Sequence, residues 1–166
     1  MIAEQFVKKY LPEALKVEKE TGFHHLITLT QGALESGWGE KALENNFFGI
    51  KWSEGDKQAK QLITTTEYLS TPNAKFPMVI SKTKQPNGKY KYIVKDNFRS
   101  YPTAAEGFAD HIQFFLKNPR YAKAVEVKND PDKFFDEIAK AGYATAPDYA
   151  EKLKQVMHSV IIRIPK

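Results

Sequence analysis

Two glutamates, Glu35 and Glu67, have the type and setting to do chemistry. Glu35 closes an apolar helical run (Leu26, Ile27, Thr30, Ala33, Leu34) and is followed at once by Ser36-Gly37-Trp38-Gly39. A helix C-terminus carries partial negative charge, and apolar neighbours such as Leu34 and Trp38 would desolvate a carboxylate placed there. Both effects favour the protonated acid, the form that hands a proton to a departing glycosidic oxygen. Glu67 lies in Thr64-Thr65-Thr66-Glu67-Tyr68, a strand composition in which glutamate fits poorly. Strand alternation puts it on the face of Thr65 and Leu69. Two carboxyls flanking a bond are the usual equipment of glycoside hydrolysis. Each alone reads equally well as an ordinary surface glutamate. Chain spacing does not give their separation, so retention and inversion both stay open.

Other chemistries lack their residues. The 166-residue chain has no cysteine, which removes disulfides, thiolate zinc sites and a cysteine nucleophile. Its four histidines, His24, His25, His111 and His158, follow no HExxH or related spacing and read as ordinary helix residues. Neither metal nor cofactor is expected. The net charge of +5 and pI near 9.2 suit a polyanion: nucleic acid, an anionic membrane or an anionic cell wall. Lys82, Lys84, Lys89, Lys91 and Lys95 cluster in one stretch, either as edge-protecting lysines or as a basic lip. No RNP-type or helix-turn-helix pattern accompanies them, so no nucleic-acid partner is expected. Aromatic residues are 13% of the chain, enough to line a groove for flat or sugar-like ligands as well as fill a core.

The elements that must position these residues follow from periodicity. Phe6, Val7 and Tyr10 predict a first helix, and Pro12 at a tolerated N1 position predicts a second, ending at Thr21-Gly22. A broadly apolar helix runs from about His24 to Ser36. The middle changes to strand composition: Gln61 to Leu69, then Met78 to Thr83 and Lys89 to Val94 around Pro86-Asn87-Gly88, a hairpin signal, closed by Phe98-Arg99-Ser100-Tyr101. Helical spacing returns with Thr103-Ala104-Ala105-Glu106, a capping box, and Phe108, Ile112, Phe115 and Leu116. Pro119 to Val127, a helix from Asp130-Pro131, and a last helix from Pro147-Asp148 with Tyr149, Leu153, Val156, Met157, Val160 and Ile161 inward complete the chain. The fold class is α+β, mainly α, with a small antiparallel β part at about residues 60–101. Length predicts a single domain over 1–166. Hydrophobic content of 42% against 27% charged excludes disorder. No apolar run is long enough for a membrane span, and no secretory signal is visible.

Ala33-Leu34-Glu35-Ser36-Gly37-Trp38-Gly39 and Asn46-Phe47-Phe48-Gly49-Ile50-Lys51 resemble the signature of glycoside hydrolase family 73, the bacterial and phage endo-β-N-acetylglucosaminidases that cut peptidoglycan. The likeness continues, in the family's order, through Thr66-Glu67-Tyr68, Phe98-Arg99-Ser100-Tyr101, Ala141-Gly142-Tyr143-Ala144-Thr145 and Pro147-Asp148-Tyr149-Ala150. The resemblance implies a lysozyme-like fold, a helical lobe and a small β lobe with a cleft between them. It implies Glu35 as general acid, with Glu67 or the substrate's acetamido group assisting, and Tyr143 beside the catalytic glutamate. Trp38, Asn46, Phe48, Tyr68 and Tyr101 are candidate substrate-binding residues, each equally placed to serve the core or a helix cap. Arg99 is read as a partner for a carboxylate. The stretch from Thr71 to Asn97 is longer than in compact relatives, leaving the geometry after Glu67 open. The expected partner is peptidoglycan glycan strands, met by a monomer without stable membrane insertion, at the cell wall, in the periplasm or outside the cell, with the export route open. A lytic transglycosylase on the same substrate and a non-catalytic wall-binding adaptor are the alternatives.

Overall fold

The computed structural model describes residues 1–166, which form two compact units: residues 1–48 with 102–166, and residues 49–101. The first is helical. It holds α1 (Ala3–Thr21), α2 (His25–Ser36), α3 (Ala104–Lys117), a 3-10 turn (Pro119–Tyr121), α4 (Ala122–Glu126), α5 (Pro131–Lys140) and α6 (Tyr149–Ile161).

The expected break at Pro12 is absent, and α1 runs unbroken through it. The buried residues Phe6, Val7, Tyr10, Ala14 and Val17 keep one helical stripe across the proline. An interior proline costs about 3 kcal/mol, less than burying several such side chains returns. Pro12 itself faces solvent, where water can serve the carbonyl left without its amide partner. Gly22 then closes α1 in the left-handed region (φ 78°), its N–H bonded to the Glu18 carbonyl.

Helix α2 is buried on nearly every side, from Ile27 to Ala33 and again at Ser36. It packs against α1 and α6. Phe6, Phe23, Phe47, Phe108, Phe115, Phe134 and Phe135 form the aromatic bulk of this core. Gly32 faces this aromatic cluster, where a Cβ would stand in van der Waals contact with the Phe108 ring at 3.4 Å. Thr103 Oγ1 accepts the Glu106 N–H at the start of α3, as the sequence predicts. A second α3 donor, the Ala105 N–H, goes to the Glu13 carboxylate of α1 at 2.9 Å. On α6, Leu153, Met157 and Val160 are buried. Ile161, expected inward, is exposed: it is still helical but lies about 100° round the helix from Val160, at the margin of the buried stripe.

The second unit is a three-stranded antiparallel sheet, β1 (Ala59–Leu69), β2 (Met78–Lys84) and β3 (Tyr90–Ser100), in the order β1-β3-β2. The Pro86-Asn87-Gly88 turn joins β2 to β3. Gln85 N–H meets the Lys89 carbonyl at 2.7 Å across that turn. Strand β3 is longer than expected. It absorbs Phe98, Arg99 and Ser100, which pair with Gln61, Lys60 and Ala59. A bulge between Val79 and Ser81 shifts the β2 register. No helix is long and apolar enough to cross a membrane.

Candidate active site

In the helical unit, Glu35 occupies the last turn of α2, and the chain beyond it turns sharply. Gly37, Trp38 and Gly39 all take left-handed φ values of 59°, 57° and 89°. Such a run is strained at Trp38, the non-glycine residue. The Trp38 ring is held edge-on to Phe6, with centroids 5.7 Å apart. The expected desolvation by Leu34 and Trp38 does not occur, and the Glu35 side chain is exposed to solvent.

Its orientation is fixed by a hydroxyl instead. Tyr149 Oη, at the start of α6, donates to Glu35 Oε1 at 2.8 Å. Gln31, one turn earlier on α2 and fully buried, donates from Nε2 to Tyr149 Oη at 3.4 Å. Burial first, then the neighbouring Tyr143 and Glu35, hold the Tyr149 phenol far above the usual range, so it stays a donor.

Tyr143 lies beside this pair, its ring stacked on Tyr149 with centroids 5.6 Å apart. Burial, followed by the charge of Glu35, raises its phenol well above normal. Tyr143 Oη is 2.8 Å from Nε2 of His111. Burial pushes His111 down to about 3, so the imidazole is neutral. Its ring stacks on Phe48 with centroids 3.7 Å apart. Glu35, Tyr149, Tyr143, His111 and Phe48 are thus one connected series. Asn46 is buried at the bridge to Leu43.

In the β unit, Glu67 stands on the more covered face of β1 with Thr65 and Leu69, as alternation requires. Lys51 Nζ reaches Glu67 Oε1 at 2.9 Å and Asp96 Oδ2 at 3.3 Å. Burial works against the Lys51 charge, but the bonds to Glu67 and Asp96 outweigh it, and the ammonium titrates above the usual lysine range. Tyr68, next to Glu67 in sequence, points from the opposite face and is 56% exposed. Tyr101 is buried. Arg99 pairs with Asp56 at 3.0 Å.

Sequence reasoning missed several of these partners. The sequence presents Tyr149 only as a buried helix residue and His111 only as an ordinary helix residue, and it assigns no role to Gln31, Lys51 or Asp96. Tyr149 and Lys51 do fall inside blocks that carry the family resemblance, which was the available signal.

A mainly helical fold with a small antiparallel sheet, and a glutamate presented at the end of a buried helix, is the arrangement of the lysozyme-like glycoside hydrolases. Within that class, the family model described as "Glucosaminidase: Mannosyl-glycoprotein endo-beta-N-acetylglucosaminidase" matches residues 11–161, and the chain belongs to this family, glycoside hydrolase family 73. It is similar to the peptidoglycan hydrolase FlgJ of Vibrio parahaemolyticus, 34% identical over 95% of this chain and 47% of that protein. FlgJ of Escherichia coli K12 is 37% identical over 94% of this chain and 47% of its own length. The exo-glucosaminidase LytG of Bacillus subtilis is 30% identical over 79% and 42%. The chain spans less than half the length of these relatives.

Proposed function

We propose that this chain hydrolyses the β-1,4 bond following N-acetylglucosamine in peptidoglycan, with Glu35 as general acid. The observation that carries the reading is the Tyr149 hydroxyl fixed on Oε1 of Glu35, a residue otherwise exposed to solvent, whose other carboxyl oxygen would carry and deliver the proton. Bound glycan would cover this exposed carboxyl, and the loss of water favours its protonated form. Tyr143, a neighbouring phenol whose burial favours its protonated form, orients the acetamido group or the attacking water.

The second role falls to Glu67 or to the acetamido group itself, which can act as an internal nucleophile. The ammonium of Lys51 sits on Glu67 Oε1, which supports an orienting or charge-stabilising part for Glu67. Trp38, Phe48 and Tyr68 are proposed as ring platforms for sugars, with Asn46 and Tyr101 shaping them from buried positions. The family match crosses both units, which supports one catalytic domain over residues 1–166. The positive charge suits anionic wall polymers and supports action at the cell wall, in the periplasm or outside the cell; a monomer is the proposed working form.

The test is Glu35→Gln, read as release of reducing ends from purified peptidoglycan. A loss of about two or more orders of magnitude is expected for a general acid. Full activity in the variant would remove Glu35 from that role. Mass spectrometry of the fragments separates hydrolysis, which leaves a reducing end, from transglycosylation, which leaves an anhydro end.

A further inference from the structure

Glu18, in the last turn of α1, converges with His24 and His25 at the start of α2. One ligand atom from each lies within 4.8 Å of the other two. The Glu18 carboxylate is already fixed: Oε1 accepts the His25 backbone N–H at 2.8 Å and lies 3.0 Å from His25 Nδ1. The His24 ring stacks on that of His25 with centroids 4.3 Å apart. All three side chains are half-buried.

We propose that this corner binds one divalent transition-metal ion, of the class represented by zinc, through two imidazoles and one carboxylate. Two histidines and a carboxylate are a common donor set for such ions, with water completing the coordination. Adjacent ligands at metal bonds of about 2.0–2.2 Å sit roughly 3 Å apart, the spacing Glu18 Oε1 and His25 Nδ1 already have. The ion takes the place of the proton between them, which leaves for solvent.

His24 must rearrange. Its Nδ1 now accepts the Leu26 N–H at 3.1 Å, so the neutral ring holds its proton on Nε2. Coordination through either nitrogen gives up that bond, which makes metal capture and the N-cap of α2 alternatives. Asp130 acts on His24 as a further negative group. Lys128 is the neighbouring cation, and its ammonium is bonded to the Thr21 carbonyl at 2.9 Å. A bound ion would tie the end of α1 to the start of α2, the helix that ends near Glu35. The site stands independently of the glucosaminidase reading.

Calorimetric titration of the whole chain with zinc chloride tests it. The expected result is one saturable site per chain, reversed by chelator and accompanied by a rise in melting temperature. Glu18→Gln and His25→Ala should each weaken binding about tenfold or more, in keeping with the sensitivity of such sites, while His158→Ala binds as wild type. Zinc should also speed hydrogen exchange of the Leu26 amide, which a merely superficial ion would not do. Absence of saturable uptake by the wild type, unchanged affinity in both ligand variants, or an unaltered Leu26 amide at saturation overturns the proposal.

Discussion

Tyr149→Phe removes one oxygen and nothing else. The ring can keep its stack on Tyr143, 5.6 Å away, so the packing at the start of α6 survives. What goes is the hydroxyl that donates to Glu35 Oε1 at 2.8 Å. Hydrogen bonds to charged groups are worth about 1.5–3 kcal/mol, or roughly 10- to 150-fold in rate if the whole value is lost in the transition state. Glu35 is solvent-exposed, and water replaces part of the missing donor, so the lower end applies: kcat about tenfold down. KM should stay put, because the lost hydroxyl is directed at Glu35. Gln31 also loses an acceptor, but at 3.4 Å that bond is weak. The stability cost is about 1 kcal/mol, a few degrees in melting temperature for a chain of this size. The assay is reducing-end release from purified peptidoglycan, with a melting curve on the same sample. A double variant sharpens it. If Tyr149 acts through Glu35, adding Tyr149→Phe to Glu35→Gln should cost almost nothing more. Wild-type turnover in Tyr149→Phe, or a full further tenfold loss in the double variant, would refute the positioning argument.

Acid should destabilise the chain through His111. Its folded value of about 3 lies below an unfolded value near 6.5, so its contribution is complete above pH 6.5 and drains away as pH falls toward 3. At 1.36 kcal/mol per unit the difference reaches about 2 kcal/mol by pH 5. Urea unfolding of wild type and His111→Gln between pH 7 and 5 should show a steeper fall for the wild type, and parallel curves would show that His111 does not carry the effect. Lys51→Met should cost at most about 1 kcal/mol of stability, since the ion pair is partly exposed. Its effect on kcat should match that of Glu67→Gln and fall short of that of Glu35→Gln; unchanged activity beside an inactive Glu67→Gln would separate Lys51 from the role of Glu67.

The elements were legible in the sequence wherever a pattern was local. The Asn87-Gly88 turn, the Thr103 cap and the Gly22 stop depend on a few neighbouring residues, and each lies where local chemistry places it. Pro12 shows where local reading fails. Its missing N–H argues for a break, but the stripe from Phe6 to Val17 is buried by residues far along the chain, and that burial decides the outcome. The length of β3 is a similar case: Phe98 to Ser100 read as a separate closing segment because their partners, Ala59 to Gln61, lie about forty residues upstream.

The candidate site divides along the same line. Glu35, Glu67 and Tyr143 are visible as residue types in suggestive places, but the groups that hold two of them are not. Tyr149 reaches Glu35 across 114 positions, and His111 reaches Tyr143 across 32. No periodicity signals such pairs. The setting of Glu35 is hidden from the sequence for the same reason. Its apolar sequence neighbours suggest a desolvated acid, whereas in the fold the residue is exposed at the end of α2, just before the left-handed turn at Gly37, Trp38 and Gly39. As the proposed general acid, Glu35 would take its orientation from a distant phenol and its dry environment from bound substrate. Under that proposal the two requirements of a general acid fall to different agents, and a fixed but exposed carboxyl becomes competent for proton donation once a chain of sugars covers it.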